Sequence, residues 1–225
     1  MTLHAELYWS FRSPYSWLAI GRYRAMTEAW DLEIDLKPVY PLAIRQPDFF
    51  ERNHPNWLGY TVRDIARLAQ FHNIPLAAPR PDPIVQDLAT RRIAAEQPYI
   101  HRLVRLGQTA ARRGRSLVFC AEVARLIWGG TQNWHEGEHL AGAAKRAGLD
   151  LAELDAEADL DADALDAEVA ANQAALEAAG HWGVPTLVFR GEPFFGQDRI
   201  ELAFWRMSAA GLARREAAAP SESPQ

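Results

Sequence analysis

The sequence predicts an α/β protein in which the two ends of the chain form one domain of strands and helices, with a helical domain inserted between them. Three observations predict this class. The chain begins with a strand, helix, strand pattern, its middle shows helical spacing of apolar residues, and two short strands and a helix follow near its end. With 225 residues, 48% of them hydrophobic, the chain can bury a core without disulfides or metals.

The first elements have clear local signals. Residues 3–9 are rich in β-formers. Residues 33–39 alternate apolar and polar side chains and predict a second strand, which Pro38 and Pro41 end. Between them, Ser13 and Pro14 predict a helix start, because serine caps free N–H groups and proline is tolerated at the first helical position. This order predicts two parallel strands joined by a crossover helix.

The middle of the chain predicts helices. Apolar residues recur at spacings of three and four in residues 60–71, 88–112, 117–128 and 137–147. Two short helices are predicted in residues 149–179. Nine acidic residues and no lysine or arginine lie in residues 149–168, and the densest basic run, 101–115, is interpreted as a solvated helix face.

The last segment predicts a return to the sheet. Residues 185–189 and 193–195 form strands around a tight turn, and residues 198–212 form an amphipathic helix. The predicted domains are residues 1–40 with 180–212, an inserted helical domain of residues 41–179, and a flexible tail of residues 213–225.

Composition excludes several classes of protein. A net charge of −5 without a strongly basic region argues against nucleic-acid binding. The apolar stretches are too short to cross a bilayer and residues 1–10 lack signal-peptide features, so we expect a cytoplasmic protein and no membrane partner. The single cysteine, Cys120, excludes an intramolecular disulfide and any Cys-x-x-Cys pair.

Two short motifs at opposite ends of the chain could carry chemistry. Ser13 opens a helix, where free N–H groups and the helix dipole favour an anion, although on spacing alone a plain helix cap is the favoured interpretation. Val184 and Pro185 stand in a Gly-Val-Pro-Thr run at a strand start, and their peptide bond is a candidate for the cis form.

Together these motifs resemble those of the thioredoxin-like proteins. Ser13-Pro14-Tyr15-Ser16 stands where that family has Cys-Pro-x-Cys, and the inserted helical domain resembles the DsbA-like branch, so the expected fold is a thioredoxin-like domain with a helical insertion. With Gly-Gln-Asp-Arg at residues 196–199, the chain is similar to the 2-hydroxychromene-2-carboxylate isomerases and the kappa-class glutathione transferases. The order of elements matches from residue 3 to about residue 212.

The resemblance implies glutathione as the cofactor and assigns site residues to it. Ser13 would be the catalytic residue, hydrogen-bonding the glutathione sulfur and favouring its thiolate. Val184, before cis-Pro185, would pair its backbone with the glutathione cysteine like an added strand. Asp198 would hold the γ-glutamyl end with Gln197 nearby, and Ser16 is a further candidate contact.

One position departs from the family pattern. Where the family has a lysine that binds a glutathione carboxylate, this chain has Trp57. The change points to another carboxylate partner such as Arg12 or Arg63, to a different thiol, or to a bulkier apolar substrate. The predicted substrate pocket, for a flat aromatic molecule, contains Phe11, Tyr15, Trp57, His181 and Trp182. Core packing of the aromatic rings and a structural role for the imidazole are the alternatives.

The resulting expectation is a homodimeric, glutathione-dependent isomerase acting on 2-hydroxychromene-2-carboxylate or a similar unsaturated aromatic oxo-acid. Glutathione transfer to electrophiles is the first alternative, and a ligand-binding protein without redox activity is another. His135 and His139 formally match the zinc-protease pattern His-Glu-x-x-His. However, Gly137 weakens a helix there and Lys145 occupies the place of a third histidine, so a metal hydrolase is not favoured.

Overall fold

The structure, a computed structural model, describes residues 1–87, 89–90 and 92–215. The elements follow the predicted order: β1 (Leu3–Trp9), α1 (Pro14–Ala29), β2 (Leu32–Pro38), α2 (Leu42–Arg45), α3 (Phe49–Arg52), α4 (Asn56–Phe71), α5 (Ile100–Arg112), α6 (Ser116–Trp128), α7 (His139–Arg146), α8 (Leu151–Leu160), α9 (Ala162–Ala178), β3 (Thr186–Phe189), β4 (Glu192–Phe195) and α10 (Ile200–Ala209). A short 3₁₀ turn, Gln197–Arg199, precedes α10. This arrangement confirms the predicted α/β class.

The four strands form one sheet in the order β2-β1-β3-β4. β1 and β2 are parallel, as the strand-helix-strand pattern predicts, with Leu3 opposite Leu32 and Trp9 opposite Pro38. β3 joins β1 in antiparallel orientation and β4 joins β3 in the same way. The two ends of the chain therefore meet in the centre of the sheet, which brings the start of α1 close to the start of β3.

The two faces of the sheet are covered differently. Leu3, Leu7 and Trp9 of β1 belong to the main core, which includes side chains of α1, α5 and α6. Tyr8, one position out of phase, packs on the opposite face with Leu176 of α9. This alternation follows from the two-residue period of a strand, and it places the beginning of α1 at the edge of the packed core.

Several predicted helix boundaries differ from the structure. The helix predicted for residues 88–112 begins only at Ile100, because Pro98 has no N–H to donate within a helix. The preceding segment is held by Gln97, whose amide donates to the Val85 carbonyl and accepts from the Val85 N–H, each at 2.9 Å. α9 is a long helix of 17 residues and not a short one. In the part of the chain that the structure describes, no helix is both long and apolar enough to cross a membrane.

The first three residues of the predicted tail are joined to the rest of the fold by backbone hydrogen bonds. The Asp31 N–H donates to the Ala213 carbonyl, and the Arg215 N–H donates to the Ala29 carbonyl. These bonds attach residues 213–215 to the turn between α1 and β2. Residues 216–225 of the predicted tail lie outside the described residues.

Arginines of α5 pair with the acidic residues of α8 and α9. Arg105 makes a two-pronged contact with Asp166, at 3.0 and 2.6 Å. Arg112 contacts Glu157, Asp161 and Glu168 at 2.7–3.2 Å. The hydrogen bonds from Arg105 and Arg112 hold the pKa of Asp166 and of Glu168 below their usual values. The basic run is therefore an ion-pairing surface for the acidic segment.

We expect Arg112→Ala to lower the free energy of unfolding by about 1 kcal/mol, because three carboxylates lose their shared cation and repel one another. The loss should shrink at high salt. Because the pKa of Glu168 is lowered in the folded state, its contribution is complete at neutral pH and disappears as the pH falls through that lowered pKa. Urea unfolding at low and high salt measures the effect.

The matched control is Arg52→Ala, since Arg52 is well exposed and, among the described residues, its one ion pair is with Asp48, four residues earlier. This control should change the unfolding free energy little. Equal losses for the Arg112 and Arg52 variants would contradict a stabilising role of the paired cluster.

Candidate functional site

The first part of the candidate site is the start of α1. Ser13 is the N-cap residue of this helix, and Pro14 takes its first position. The Ser13 Oγ accepts a hydrogen bond from the Ser16 N–H at 3.2 Å, as expected of a cap. The same hydroxyl donates to the Val184 carbonyl oxygen at 3.4 Å. Strong hydroxyl bonds lie near about 2.7–2.8 Å, so the hydroxyl hydrogen can turn from this carbonyl to a better acceptor.

The second part is the loop that begins β3. The Val184–Pro185 peptide bond is cis, which confirms the sequence prediction. A second cis bond, Arg80–Pro81, had no signal in the sequence beyond proline itself. In the described chain, the Val184 N–H donates to no acceptor. An extended peptide could therefore pair with Val184 through this free N–H.

The third part is the 3₁₀ turn before α10. The Gly196 N–H donates to the Pro185 carbonyl at 2.8 Å, which attaches this turn to the cis-proline loop. Arg22 of α1 donates to both the main-chain and side-chain oxygens of Gln197, at 2.7 and 3.3 Å. Gln197 is buried. Its hydrogen bonds with Arg22 fix the position of the turn. Asp198 projects into solvent, where it pairs with Arg199 at 2.6 Å.

Two contacts attach the start of α1 to the helical block. The Arg12 Nε donates to an Asp82 carboxylate oxygen at 2.6 Å. The Tyr15 hydroxyl donates to Asp64 of α4 at 2.9 Å, and burial together with this bond raises the pKa of Tyr15. Arg12 is therefore already paired with a carboxylate of the protein. Arg63, whose Nε donates only to the Gly59 carbonyl of its own helix, pairs with no carboxylate in the described chain.

An aromatic group borders the cis-proline loop. It consists of Phe49, Phe50, Trp57, His181, Trp182 and Phe195. The Phe49 ring lies 5.8 Å from Trp57 and 6.0 Å from Trp182, measured between centroids. Trp182 and Phe195 remain 45% and 44% exposed. The structure therefore brings the predicted pocket residues Trp57, His181 and Trp182 together on an open aromatic surface.

Several residues of the candidate site were not predicted from the sequence. Phe49 and Phe195 join the aromatic group, and Arg22 and Asp64 fix two parts of the site. Arg45 binds the Tyr40 and Trp182 carbonyls at 2.7 and 3.0 Å. Burial lowers the pKa of Arg45. None of these residues has a local motif, because each acquires its role from a partner far away in the sequence.

Two predicted site residues lie in the core instead. Phe11 is completely buried, packs edge-on against Trp9 at 4.8 Å and lies under Gly107. Ser16 is also completely buried, because it lies one helical turn after Ser13 and faces the sheet, where its carbonyl accepts from the Trp9 indole. The predictions that Phe11 lines a pocket and that the Ser16 side chain contacts a cofactor are therefore wrong.

The His-Glu-x-x-His segment does not form one helix. α7 begins at His139, while His135 lies in the preceding turn and Gly137 has a φ of 56°. The two histidines thus lack the one-turn spacing on a helix face that the zinc-protease pattern requires. Within the described residues, no group of three or more histidine, cysteine or acidic side chains could hold a metal ion.

We expect no thiol–disulfide exchange by this protein. Cys120 is completely buried in α6, and burial raises the pKa of its thiol well above the usual value. Exchange requires an accessible thiolate, and the start of α1 offers only serine hydroxyls. Disulfide reductase and oxidase assays should show no activity, and Ellman's reagent should react only after unfolding. Activity that disappears in Cys120→Ala would contradict this assignment.

Comparisons with known proteins agree with this geometry. Residues 5–203 match the model of the DSBA-like thioredoxin domain. A solved 2-hydroxychromene-2-carboxylate isomerase superimposes with a TM-score of 0.66 at 22% identity, covering 92% of this chain and 96% of that one. A probable DsbA oxidoreductase from Streptomyces coelicolor gives 0.65 at 17% identity, covering 98% and 95%.

A third similar structure is the cytosolic disulfide reductase DsbM from Pseudomonas aeruginosa, solved with GSH, with a TM-score of 0.57 at 17% identity over 92% of this chain and 100% of that one. No curated protein matches the sequence. At these identities the structural likeness establishes the fold, and the family model covers most of the chain. The chain therefore belongs to the DsbA-like thioredoxin domain family.

Proposed function

We propose that this protein is a glutathione-dependent isomerase of 2-hydroxychromene-2-carboxylate or a similar unsaturated aromatic oxo-acid. One observation carries the proposal: the Ser13 hydroxyl stands at the start of α1, 3.4 Å from the carbonyl before cis-Pro185. A hydroxyl at this place cannot form the mixed disulfide of a redox enzyme. It can hydrogen-bond a thiolate that belongs to a cofactor.

The residues around Ser13 fit the thiol and amino ends of glutathione. The free Val184 N–H suits the backbone of a cysteine in an extended peptide, and the exposed Asp198 carboxylate suits an ammonium group. Glutathione, when bound, supplies the thiolate that adds to a conjugated carbon and leaves after the bond has rotated. The likeness of this chain to DsbM, whose structure was solved with GSH, supports this choice of thiol.

Ser13 and the helix start would make the bound sulfur anionic at neutral pH. A free thiol has a pKa of about 8.5 and is only slightly ionised at pH 7. Lowering that pKa by about one to two units takes about 1.4–2.7 kcal/mol. A charge-assisted bond from one hydroxyl, together with the free N–H groups at a helix N-terminus, supplies an effect of this size.

The aromatic group would receive the flat part of the substrate. The rings of three of its residues form an open apolar surface beside the cis-proline loop: Phe49, Trp57 and Trp182. Aromatic surfaces bind planar rings by offset stacking and burial of apolar area. The likeness to a solved 2-hydroxychromene-2-carboxylate isomerase supports an aromatic oxo-acid as the substrate class. The homodimer and the cytoplasmic location stay predictions of the sequence.

A turnover screen tests the proposed function. Purified protein is mixed with hydroxychromene carboxylates, their ring-opened benzylidenepyruvate isomers and generic electrophiles, each with and without glutathione. We expect isomerisation that requires glutathione and consumes none of it. Net consumption of glutathione would instead identify a transferase, and glutathione-independent or absent turnover with every compound would contradict both enzyme assignments.

Trp57→Lys tests whether the glutathione carboxylate lies near α4. Restoring the cation at this position should tighten glutathione binding about five- to tenfold, the effect of roughly 1 kcal/mol from one exposed charge pair. Calorimetric titration measures the affinity. The matched control is Leu58→Lys, which adds the same charge at the next, exposed position and should have a smaller effect. Equal affinities of the Trp57→Lys variant and the wild type would show that the carboxylate binds elsewhere, with the unpaired Arg63 as the next residue to replace.

A further inference from the structure

His181 stacks with two aromatic rings. Its imidazole stacks on Phe195 with a centroid distance of 3.9 Å and an interplanar angle of 19°. The imidazole also lies nearly parallel to the Trp182 ring, with a centroid distance of 5.6 Å and an interplanar angle of 13°. The Gly183 N–H donates to its Nδ1 at 2.9 Å. These three contacts fix both the plane and the rotation of the ring.

The hydrogen bond from Gly183 also fixes the tautomer. Because Nδ1 accepts this bond, it carries no proton, and the single proton of the neutral ring must be on Nε2. Nε2 itself donates to no acceptor in the described part of the chain, and it is not among the polar atoms that burial cuts off from solvent. The ring therefore presents one unused N–H donor at the surface of the aromatic group.

The surroundings keep the imidazole uncharged. Burial lowers the pKa of His181, which favours the neutral ring at neutral pH. Arg45 of α2 donates to the carbonyl of the adjacent Trp182.

His181 lies in the same loop as the atoms that define the thiol site. It is hydrogen-bonded to Gly183, and the next residue, Val184, contacts Ser13 through its carbonyl. A substrate that binds both the aromatic group and a sulfur at Ser13 would lie along this loop. Its polar end would then meet the free Nε2–H.

We propose that His181 is a neutral hydrogen-bond donor to the keto oxygen of the aromatic oxo-acid, an inference that rests on the proposed function. Addition at a conjugated carbon shifts negative charge onto that oxygen, and a fixed N–H donor stabilises the charge as it develops. The imidazole keeps its proton throughout, so no proton acceptor is needed. A neutral imidazole suits this role because it is the weaker acid and does not protonate the oxygen.

The experiment compares two replacements of His181 in the full-length protein, using the benzylidenepyruvate isomer and glutathione as probes. His181→Phe keeps a flat ring in the stack and removes the N–H donor, and we expect kcat to fall about 100-fold, the typical effect of losing one such donor. The KM for glutathione should not change. His181→Gln keeps an N–H donor and should recover a large part of the lost rate. His4→Phe is the matched control, since His4 is exposed and lies on β1.

A second measurement reports on the ring without turnover. The ¹⁵N NMR spectrum of labelled wild-type protein at neutral pH should show His181 neutral and protonated on Nε2. An imidazolium or an Nδ1-protonated ring would overturn the inference, even if His181→Phe fails to fold. An active wild type with an equally active, folded His181→Phe variant would overturn the role of His181 alone. A wild type inactive with every probe would overturn the proposed function and this inference together.

Discussion

Ser13→Ala should lower kcat for the proposed isomerisation by about 10- to 100-fold, because the bound thiol would lose a stabilisation of its thiolate worth about one to two pKa units. The KM for glutathione should change little, because the hydroxyl acts on the ionised sulfur and not on the peptide ends. Steady-state kinetics with varied glutathione separates the two parameters. The hydroxyl is free for this role because its bond to the Val184 carbonyl is long.

Ser13 is also a helix cap, so stability must be measured in the same variant. Loss of the cap alone should cost about 1 kcal/mol of unfolding free energy and leave the turnover of the folded protein unchanged. Ser16→Ala is the matched control, because it removes a hydroxyl from the same turn that is completely buried and faces the core. If Ser13→Ala loses stability but retains full kcat, Ser13 is only a cap.

Asp198→Asn should have the opposite kinetic pattern. Removing its charge should weaken glutathione binding about tenfold, which corresponds to about 1.5 kcal/mol, with little change in kcat. This is the low end of the range for charge-assisted bonds, because Asp198 is exposed and already pairs with Arg199. Calorimetric titration with glutathione gives the affinity.

The control for Asp198→Asn is Glu192→Gln, since Glu192 is a half-buried acid at the start of β4 that pairs with Arg206. It should bind glutathione like the wild type. Equal weakening in both variants would indicate a general effect of net charge. Unchanged binding in Asp198→Asn would show that the amino end of the cofactor lies elsewhere.

The parts of the fold with strong local signals were predictable from the sequence. The strand at residues 3–9, the helix start at Ser13 and the cis bond at Pro185 each depend on residue types within a few positions. The irregular segment before α5 was not predictable in the same way. It is stabilised by the distant pairing of Gln97 with Val85, and no periodic pattern records such a contact.

The candidate site was likewise predictable only in part. Its motif residues lie where the sequence indicated, whereas the aromatic group depends on Phe49 and Phe195, which come together only in the folded chain. Phe11 and Ser16 were misassigned because being next to a motif in sequence does not specify which face a side chain takes. In both cases the side chain turns toward the core.

The central claim is that Ser13 stabilises a thiolate on a bound cofactor. Ultraviolet difference spectroscopy of glutathione bound to the wild type and to Ser13→Ala, followed across pH, tests it most directly, because a thiolate absorbs where a thiol does not. In the wild type, we expect the bound glutathione thiol to have a pKa about one to two units below the usual value of about 8.5. In Ser13→Ala, we expect this pKa to return toward the usual value. Bound glutathione that ionises with the same pKa in both proteins would contradict the account.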